Sequence, residues 1–522
     1  MADGISQCLI DAVKNGTVTD RDGLQRLKLK LCGKFKLMEV PPNSEILAQV
    51  SPEDRILMEP FLIKKPMRTS SGVAVVAVMT SPHPCPHGRC IYCPGGVDNN
   101  SPQSYTGKEP AARRAARNHF DPYDQVSDRL RQLKEIGHRI GKVELIIMGG
   151  TFTSRDIQYQ EWFVQRCYDA MNGSASASVK DAMEANVHAP SRCVGLTVET
   201  RPDMLLEDEQ ADRLIAMGVT RVELGVQILD DCILEGVDRG HGTAETRRAT
   251  ALCRGRGMTV CYHIMPGLPG SNPGHDIECF RTVYGDPAYR PDMLKFYPVL
   301  VIAGTKLYEM WKRGEYTPLD ADTAVHLLSV MKAEVPEYMR IQRIQRDIPV
   351  PEISAGILKS NLRQLVHVYM EENGLECRCI RCREVGRTGL PPKYTLSAEI
   401  KITEYEAAEG VEKFISLETE DCIIGYVRLR IGADGTAILR DLKVSGRAED
   451  PGDSDAGWQN RGYGGQLLKK AESMAADCKS ECIRAIAVPG AVQYYTDRGY
   501  VREGSYMVKH HIFDSVCTFN RV

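Results

Sequence analysis

No apolar run in this sequence approaches the roughly 18 residues a membrane-spanning helix requires, so no membrane association is expected. The first residues, Met1 to Val13, carry Asp3 and Asp11 and lack the basic-then-apolar pattern of an export signal. A cytoplasmic location is the expectation that follows. Net charge is nearly absent too: −3 at pH 7, too little for a global field that would draw the chain onto nucleic acid. No internal repeat is visible, which removes repeat architectures. What remains is 522 residues, 43% apolar and 26% charged, an ordinary globular composition with room for two or three domains.

Cysteine is plentiful. Of 18, six fall in two tight groups at 85–93 and 377–382, and twelve stand singly. Lone cysteines behave as small buried hydrophobes, and compact groups in a reducing compartment read as metal sites rather than disulfides. Local basic runs also occur: Arg26 to Lys36, Lys64 and Lys65 with Arg68, Arg113, Arg114 and Arg117, Arg340, Arg343 and Arg346, and Arg378, Arg381, Arg383 and Arg387. Together they favour a polyanionic partner.

Residues 1–70 read as a basic, mostly helical segment, although Arg26 to Leu31 alternates with period two. From 71 to 340, β-branched runs at Val73–Met79, Val143–Met148, Cys193–Val198, Arg221–Val226, Thr259–Ile264 and Met293–Val299 alternate with helix-length segments. Six strands separated by helices imply parallel pairing and an α/β fold, a partial (βα)6 barrel. Asn172 to Ser178 reads as a mobile surface insert. Residues 341–395 form a connector with the second cysteine group, and 396–522 a separate α+β domain of hairpin-spaced strands.

Cys85, Cys90 and Cys93 follow the first strand with spacing C-x4-C-x2-C. Three thiolates leave one iron of a [4Fe–4S] cluster without a protein ligand, the vacancy that S-adenosylmethionine fills in radical chemistry. A structural zinc with His83 or His87 as fourth ligand is the rival. The position, at the face where barrels keep their active sites, favours the cluster. Met148-Gly149-Gly150-Thr151 ends the second strand, where backbone N–H groups can hold the amino-acid end of S-adenosylmethionine. Glu199 and Arg201 end the third, Gln227 the fourth, His263 to Gly270 the fifth, and Lys295 and Tyr297 the sixth. Gly149, Gly150, Gln227 and Lys295 are the cofactor-binding candidates here, and Glu199 and Lys295 the catalytic ones; for any single one, strand-end packing is the competing reading.

In the last domain, Gln459-Asn460-Arg461-Gly462-Tyr463-Gly464-Gly465 opens an apolar-periodic helix. Glycines at a helix start let successive N–H groups converge on a pyrophosphate. With the strand before it and Tyr494 and Tyr495 after it, the order matches a GNAT acetyltransferase, which takes acetyl-coenzyme A; the two tyrosines then lie at the thioester end, with core packing as their competing role.

A radical-SAM barrel joined to a GNAT domain resembles the family of Elongator catalytic subunits in its archaeal-type form, over essentially the whole length. The stretches that carry this are Cys90-Ile-Tyr-Cys-Pro-Gly-Gly96, Glu199-Thr-Arg-Pro-Asp203, Tyr297 to Tyr308 and Gln345 to Pro351. The Cys85–Cys90 spacing is shorter than in the family's eukaryotic members. The resemblance implies a tRNA-modifying enzyme, a carboxymethyluridine synthase. A 5′-deoxyadenosyl radical takes hydrogen from the acetyl methyl of acetyl-coenzyme A, the carbon radical adds to C5 of the wobble uridine in the anticodon stem-loop, and thioester hydrolysis leaves a carboxymethyl group. It also implies an electron donor, a homodimer or Elongator-like partner subunits, and all three reactants held in one cleft.

Cys377, Cys379 and Cys382 suit a structural zinc, with His367 as candidate fourth ligand and a redox pair as the alternative. Two rival functions stand beside the main one: a protein lysine acetyltransferase with a structural cluster, and a non-catalytic tRNA-binding scaffold.

Overall fold

The computed structural model describes residues 2–37, 39–63, 68–388, 397–446 and 458–510. Lys64 and Lys65, Pro391-Pro392 and the acidic insert Glu449–Gly457 lie outside the described residues.

The N-terminal segment is four helices, Ala2–Lys14, Arg21–Lys34, Asn43–Gln49 and Pro52–Leu62, around a core that includes Ile5, Leu9, Leu24 and Met58. The period-two stretch is helical: Leu24, Lys28, Leu31 and Cys32 are buried at helical spacing. Lys28 is therefore not part of a basic surface, and its ammonium donates to Asn43 Oδ1 at 2.8 Å.

Next comes an open parallel sheet whose strands stand in chain order: β1 Ala74–Met79, β2 Lys142–Met148, β3 Arg192–Thr200, β4 Val219–Gln227, β5 Thr259–Ile264, β6 Met293–Phe296 and β7 Arg340–Arg343. Crossover helices cover the outer face, as parallel pairing requires. Apolar, β-branched residues fill the strands because both faces are enclosed; β4 is buried at eight of nine positions. The sheet has seven strands where periodicity indicated six. The seventh, Arg-Ile-Gln-Arg, has one apolar residue and owes its place to pairing with β6. The small-residue insert at 172–178 is a tight helix–helix turn: Gly173 caps the first helix at φ +77°, and Gln165 Nε2 donates to Ser176 O at 2.7 Å.

The C-terminal domain is a second seven-stranded sheet, ordered Glu399–Ala407, Gly410–Thr419, Cys422–Gly432, Ala437–Val444, Cys482–Ile486, Tyr506–His510 and Val501–Glu503. Its neighbours are antiparallel except Ala437–Leu439 with Ile483–Ala485, a parallel pair bridged by the helix Tyr463–Asp477. That pairing stops at Leu439 and Ala485.

This domain meets the first sheet where the parallel strands begin. Ser71 bridges Gly446, and Gln459 bonds Gly72 O and Lys142 Nζ. A Cβ on Gly490 would stand 2.6 Å from Cys193 O. Arg440 reaches Met258 O and Asp292, and Arg428 reaches Tyr338 O. At the heart of this seam, Asp292 and Glu412 share the buried guanidiniums of Arg254, Arg428, Arg430 and Arg440.

Candidate active site and metal centres

At the opposite ends of the strands, the loop after β1 carries Cys85, Cys90 and Cys93, the last two buried. Each sulfur has one polar neighbour from another part of the barrel. Cys85 Sγ lies 3.5 Å from Thr151 Oγ1, Gln103 Nε2 donates to Cys93 Sγ at 3.4 Å, and Arg239 Nη1 donates to Cys90 Sγ at 3.6 Å. His87 Nε2 also lies 3.3 Å from Cys90 Sγ. Burial pushes the Cys85 thiol up, so an undressed thiolate is disfavoured there.

Ligand spacing separates the two metal readings. Around one tetrahedral zinc with bonds of about 2.3 Å, sulfurs stand about 3.8 Å apart. Among the described residues, the donor groups gathered within 4.8 Å include Cys377, Cys379 and Cys382 but not the trio at 85–93. The wider set, with N–H and O–H groups around its sulfurs, fits a multi-iron cluster. The tighter set fits a single ion.

The neighbouring strand ends carry unsatisfied polar atoms. Gly149 and Gly150 after β2 have φ of +141° and +88°; a Cβ on Gly149 would stand 2.0 Å from Thr80 Oγ1. Gly149 N–H donates to Glu199 Oε2 at 3.3 Å, and Tyr105 OH donates to the same oxygen at 2.8 Å. Gln227, at φ +75°, keeps a buried Oε1 with no hydrogen-bond partner among the described residues, and Arg201 Nη1 is likewise unpartnered there, although the rest of that guanidinium is forked onto Asp203. Such groups suit a polar, zwitterionic ligand laid across the strand ends beside the cysteine loop. S-adenosylmethionine has that chemistry.

Lys295 is differently placed. Its ammonium bonds Glu223, whose Oε2 also takes His263 Nε2 at 2.9 Å. Lys295 thus belongs to an ionisable column inside the barrel that continues through Arg221 to Glu144. Glu223 escaped sequence reasoning because it lies inside a β-run, as did Arg239, which sits in a turn.

In the C-terminal domain, Gly462 caps the helix start in the left-handed region at φ +83°, and Asn460 has φ +59°. Asn460, Arg461 and Gly462 are exposed, and Tyr463, Gly464 and Gly465 are half-buried in the first turn. Gln459 is not in that loop's open face: its amide ties Lys142, Gly72 and Val444 together. A Cβ on Gly464 would stand 2.9 Å from Tyr494 OH, a buried hydroxyl without a hydrogen-bond partner among the described residues. Arg498 stacks on the Tyr494 ring at 3.7 Å. Tyr495, by contrast, packs in the domain core against Tyr494 and Tyr500. Tyr494 alone of the pair borders the glycine loop.

In the second cysteine group, Cys379 caps the short helix Ile380–Arg383. His367, on the helix Leu362–Glu372, does not join the gathered sulfurs. Lys332 Nζ is buried without a hydrogen-bond partner among the described residues, and its charge acts on Cys382. Several arginines expected on a polyanion-binding face are internal: Arg340 forks onto buried Glu384, and Arg383 pairs with buried Glu418.

Four family models match. They are the ELP3 N-terminal domain at residues 2–70, the Radical SAM superfamily at 81–283, the Radical SAM C-terminal domain at 291–372, and the Acetyltransferase (GNAT) family at 383–500. A tRNA uridine(34) acetyltransferase of Methanocaldococcus jannaschii is 45% identical over 97% of each chain. Elongator complex protein 3 of Danio rerio is 39% identical over 98% of this chain and 96% of its own. Among solved structures, Methanocaldococcus infernus Elp3 lacking its first 46 residues superposes with a TM-score of 0.74. It is 41% identical and covers 85% of this chain and 100% of its own.

Proposed function

Because the chain belongs to the Elongator complex protein 3 family of tRNA uridine(34) acetyltransferases, we propose that it modifies the wobble uridine of tRNA, joining radical SAM chemistry to an acetyl group taken from acetyl-coenzyme A. One observation carries the reading. A three-thiol loop with a hydrogen-bond partner at each sulfur and a glycine loop bordered by a tyrosine hydroxyl unpartnered among the described residues occur in one chain, at opposite ends of one seamed fold.

Cys85, Cys90 and Cys93 would hold a [4Fe–4S] cluster, which when bound supplies the electron that cleaves S-adenosylmethionine. Gly149 and Gly150 let the backbone approach that ligand's amino-acid end, and Glu199, fixed by Tyr105, accepts from its ammonium. Arg201 and Gln227 offer their unpartnered atoms to its polar ends. Lys295 acts from within the barrel, through Glu223 and His263, rather than by touching a ligand. The loop Asn460–Gly465 would cradle the coenzyme pyrophosphate at the helix start, and Tyr494 OH would meet the thioester end. Tyr495 supports Tyr494 by packing.

Cys377, Cys379 and Cys382 would hold a structural zinc. Three thiolates and Zn2+ carry a net charge of −1, which the buried Lys332 ammonium balances. His367 is not the fourth ligand in this arrangement. The polyanion partner is tRNA, met by exposed bases such as Arg113 and Arg117 rather than by the internal arginines.

Anaerobic incubation of reconstituted protein with tRNA, S-adenosylmethionine, a reductant and acetyl-coenzyme A tests the reading. Formation of both 5′-deoxyadenosine and 5-carboxymethyluridine is expected. Failure of both, with iron and labile sulfide bound, refutes it.

A further inference from the structure

Arg239 is one of the most completely engaged side chains in the barrel. It is 6% exposed. Nε donates to His241 Nε2 at 3.0 Å, Nη2 donates to Gly225 O, and Nη1 donates to Cys90 Sγ at 3.6 Å. All three nitrogens of the fork are thus directed, and one of them faces a sulfur.

The surroundings are built to keep it there. A Cβ on Gly225 would stand 2.4 Å from Arg239 Nη2, so β4 makes room for the guanidinium with a glycine. The turn that carries Arg239 grips the cysteine loop. Gly240 has φ +72°, a Cβ there would stand 2.7 Å from His87 Cβ, and Ile91 N–H donates to Val237 O at 3.1 Å. Arg201 Nη2 donates to Gly240 O at 3.0 Å, tying the same turn to β3.

A hydrogen bond to a ligating sulfur withdraws charge from the cluster and favours its reduced, more negative state. Cluster potentials are set in part by such bonds. A fixed cation strengthens the effect, because a guanidinium stays protonated and Arg239 is buried.

We propose that Arg239 sets the reduction potential of the cluster, donating from Nη1 to the sulfur of Cys90 and raising that potential into reach of a one-electron donor. The proposal rests on the cluster assignment made above. It adds that a second-sphere cation, rather than the ligands alone, determines how readily the cluster accepts an electron.

The test is a dye-mediated potentiometric titration of the full-length reconstituted protein, followed by electron paramagnetic resonance, with iron and sulfide measured in parallel. R239M removes both charge and donors; R239K keeps the charge on a single ammonium and loses the fork. R239M is expected to hold wild-type iron and sulfide and to titrate at a lower potential. A tenfold lower ratio of reduced to oxidised cluster at fixed poise is the expected scale, about 59 mV for a one-electron couple. R239K should fall between R239M and wild type. If R239M does not retain the cluster, a lowered potential in R239K carries the same conclusion. An unchanged potential with full iron content overturns the proposal, and so does cluster loss in both variants, which would make Arg239 a structural residue. Wild-type protein that binds no iron and sulfide would instead refute the cluster reading.

Discussion

Replacing Asp292 with asparagine should loosen the seam between the two sheets. Asp292 lies wholly buried just before β6. It accepts Arg440 at 2.8 and 2.6 Å and Val260 N–H at 2.8 Å, with Arg254 and Arg428 each 3.3 Å away. Four guanidiniums share two carboxylates here, so the cluster already carries a net charge of +2. The Asp292→Asn change takes it to +3 in a fully buried place and turns one acceptor into a donor aimed at cations. Breaking a buried ion pair by removing one partner costs about 3–5 kcal/mol, or about two to four orders of magnitude in the folding constant. The assay is urea unfolding followed by two probes: intrinsic fluorescence for the whole molecule and acetyl-coenzyme A protection for the C-terminal domain. Both midpoints should fall, and the two transitions should separate as the domains uncouple. A variant such as Glu315→Gln, which removes an exposed pair with Arg313, should leave both in place. If Asp292→Asn unfolds within about 0.5 kcal/mol of wild type, the seam is not held by this network.

Four further outcomes are expected. Gly149→Ala puts a Cβ against Thr80 at a backbone angle that side chains avoid, and 5′-deoxyadenosine formation should fall at least about tenfold with the fold intact by circular dichroism. Tyr494→Phe removes a buried hydroxyl that has no hydrogen-bond partner among the described residues, so thermal stability should hold or rise while acetyl-coenzyme A turnover drops about 10- to 100-fold. Cys379→Ser should remove one equivalent of zinc measured by mass spectrometry and leave iron content unchanged. Burial alone would push the Glu144 carboxyl up, but Arg221 overrides it and holds it at about 2 against the ordinary 4.5. That contribution is fully present above pH 4.5 and is lost as pH falls toward 2. It amounts to about 3 kcal/mol, and Glu144→Gln should flatten the acid limb of an unfolding-versus-pH curve.

The parts legible in the sequence are those that local pattern dictates. β-branched runs marked six parallel strands and the antiparallel hairpins, and glycine-rich turns marked the two loops beside the candidate sites. The cysteine spacings marked the two groups of sulfurs that are candidates to hold a cluster and an ion. What stayed hidden depends on the third dimension. β7 is four residues with one apolar side chain, so only its neighbour makes it a strand. Arg340 and Arg383 look like surface bases until Glu384 and Glu418 are seen beside them. Tyr494 and Tyr495 are adjacent in sequence, yet helical rotation sends one to the ligand loop and the other into the core. Gln459, first residue of the glycine motif, turns out to bind the neighbouring sheet, because the strand starts of that sheet lie against it.

The docking of the C-terminal domain on the beginnings of the parallel strands has a kinetic consequence. From Cys193, beside the helix that bears Tyr494, to Glu199, beside the cysteine loop, β3 climbs six residues, about 20 Å. If the two loops serve as proposed, a thioester at Tyr494 stands about a strand's length from a radical formed at the cysteine loop. Carriage of the acyl group along that path, rather than bond vibration, then sets the pace of turnover.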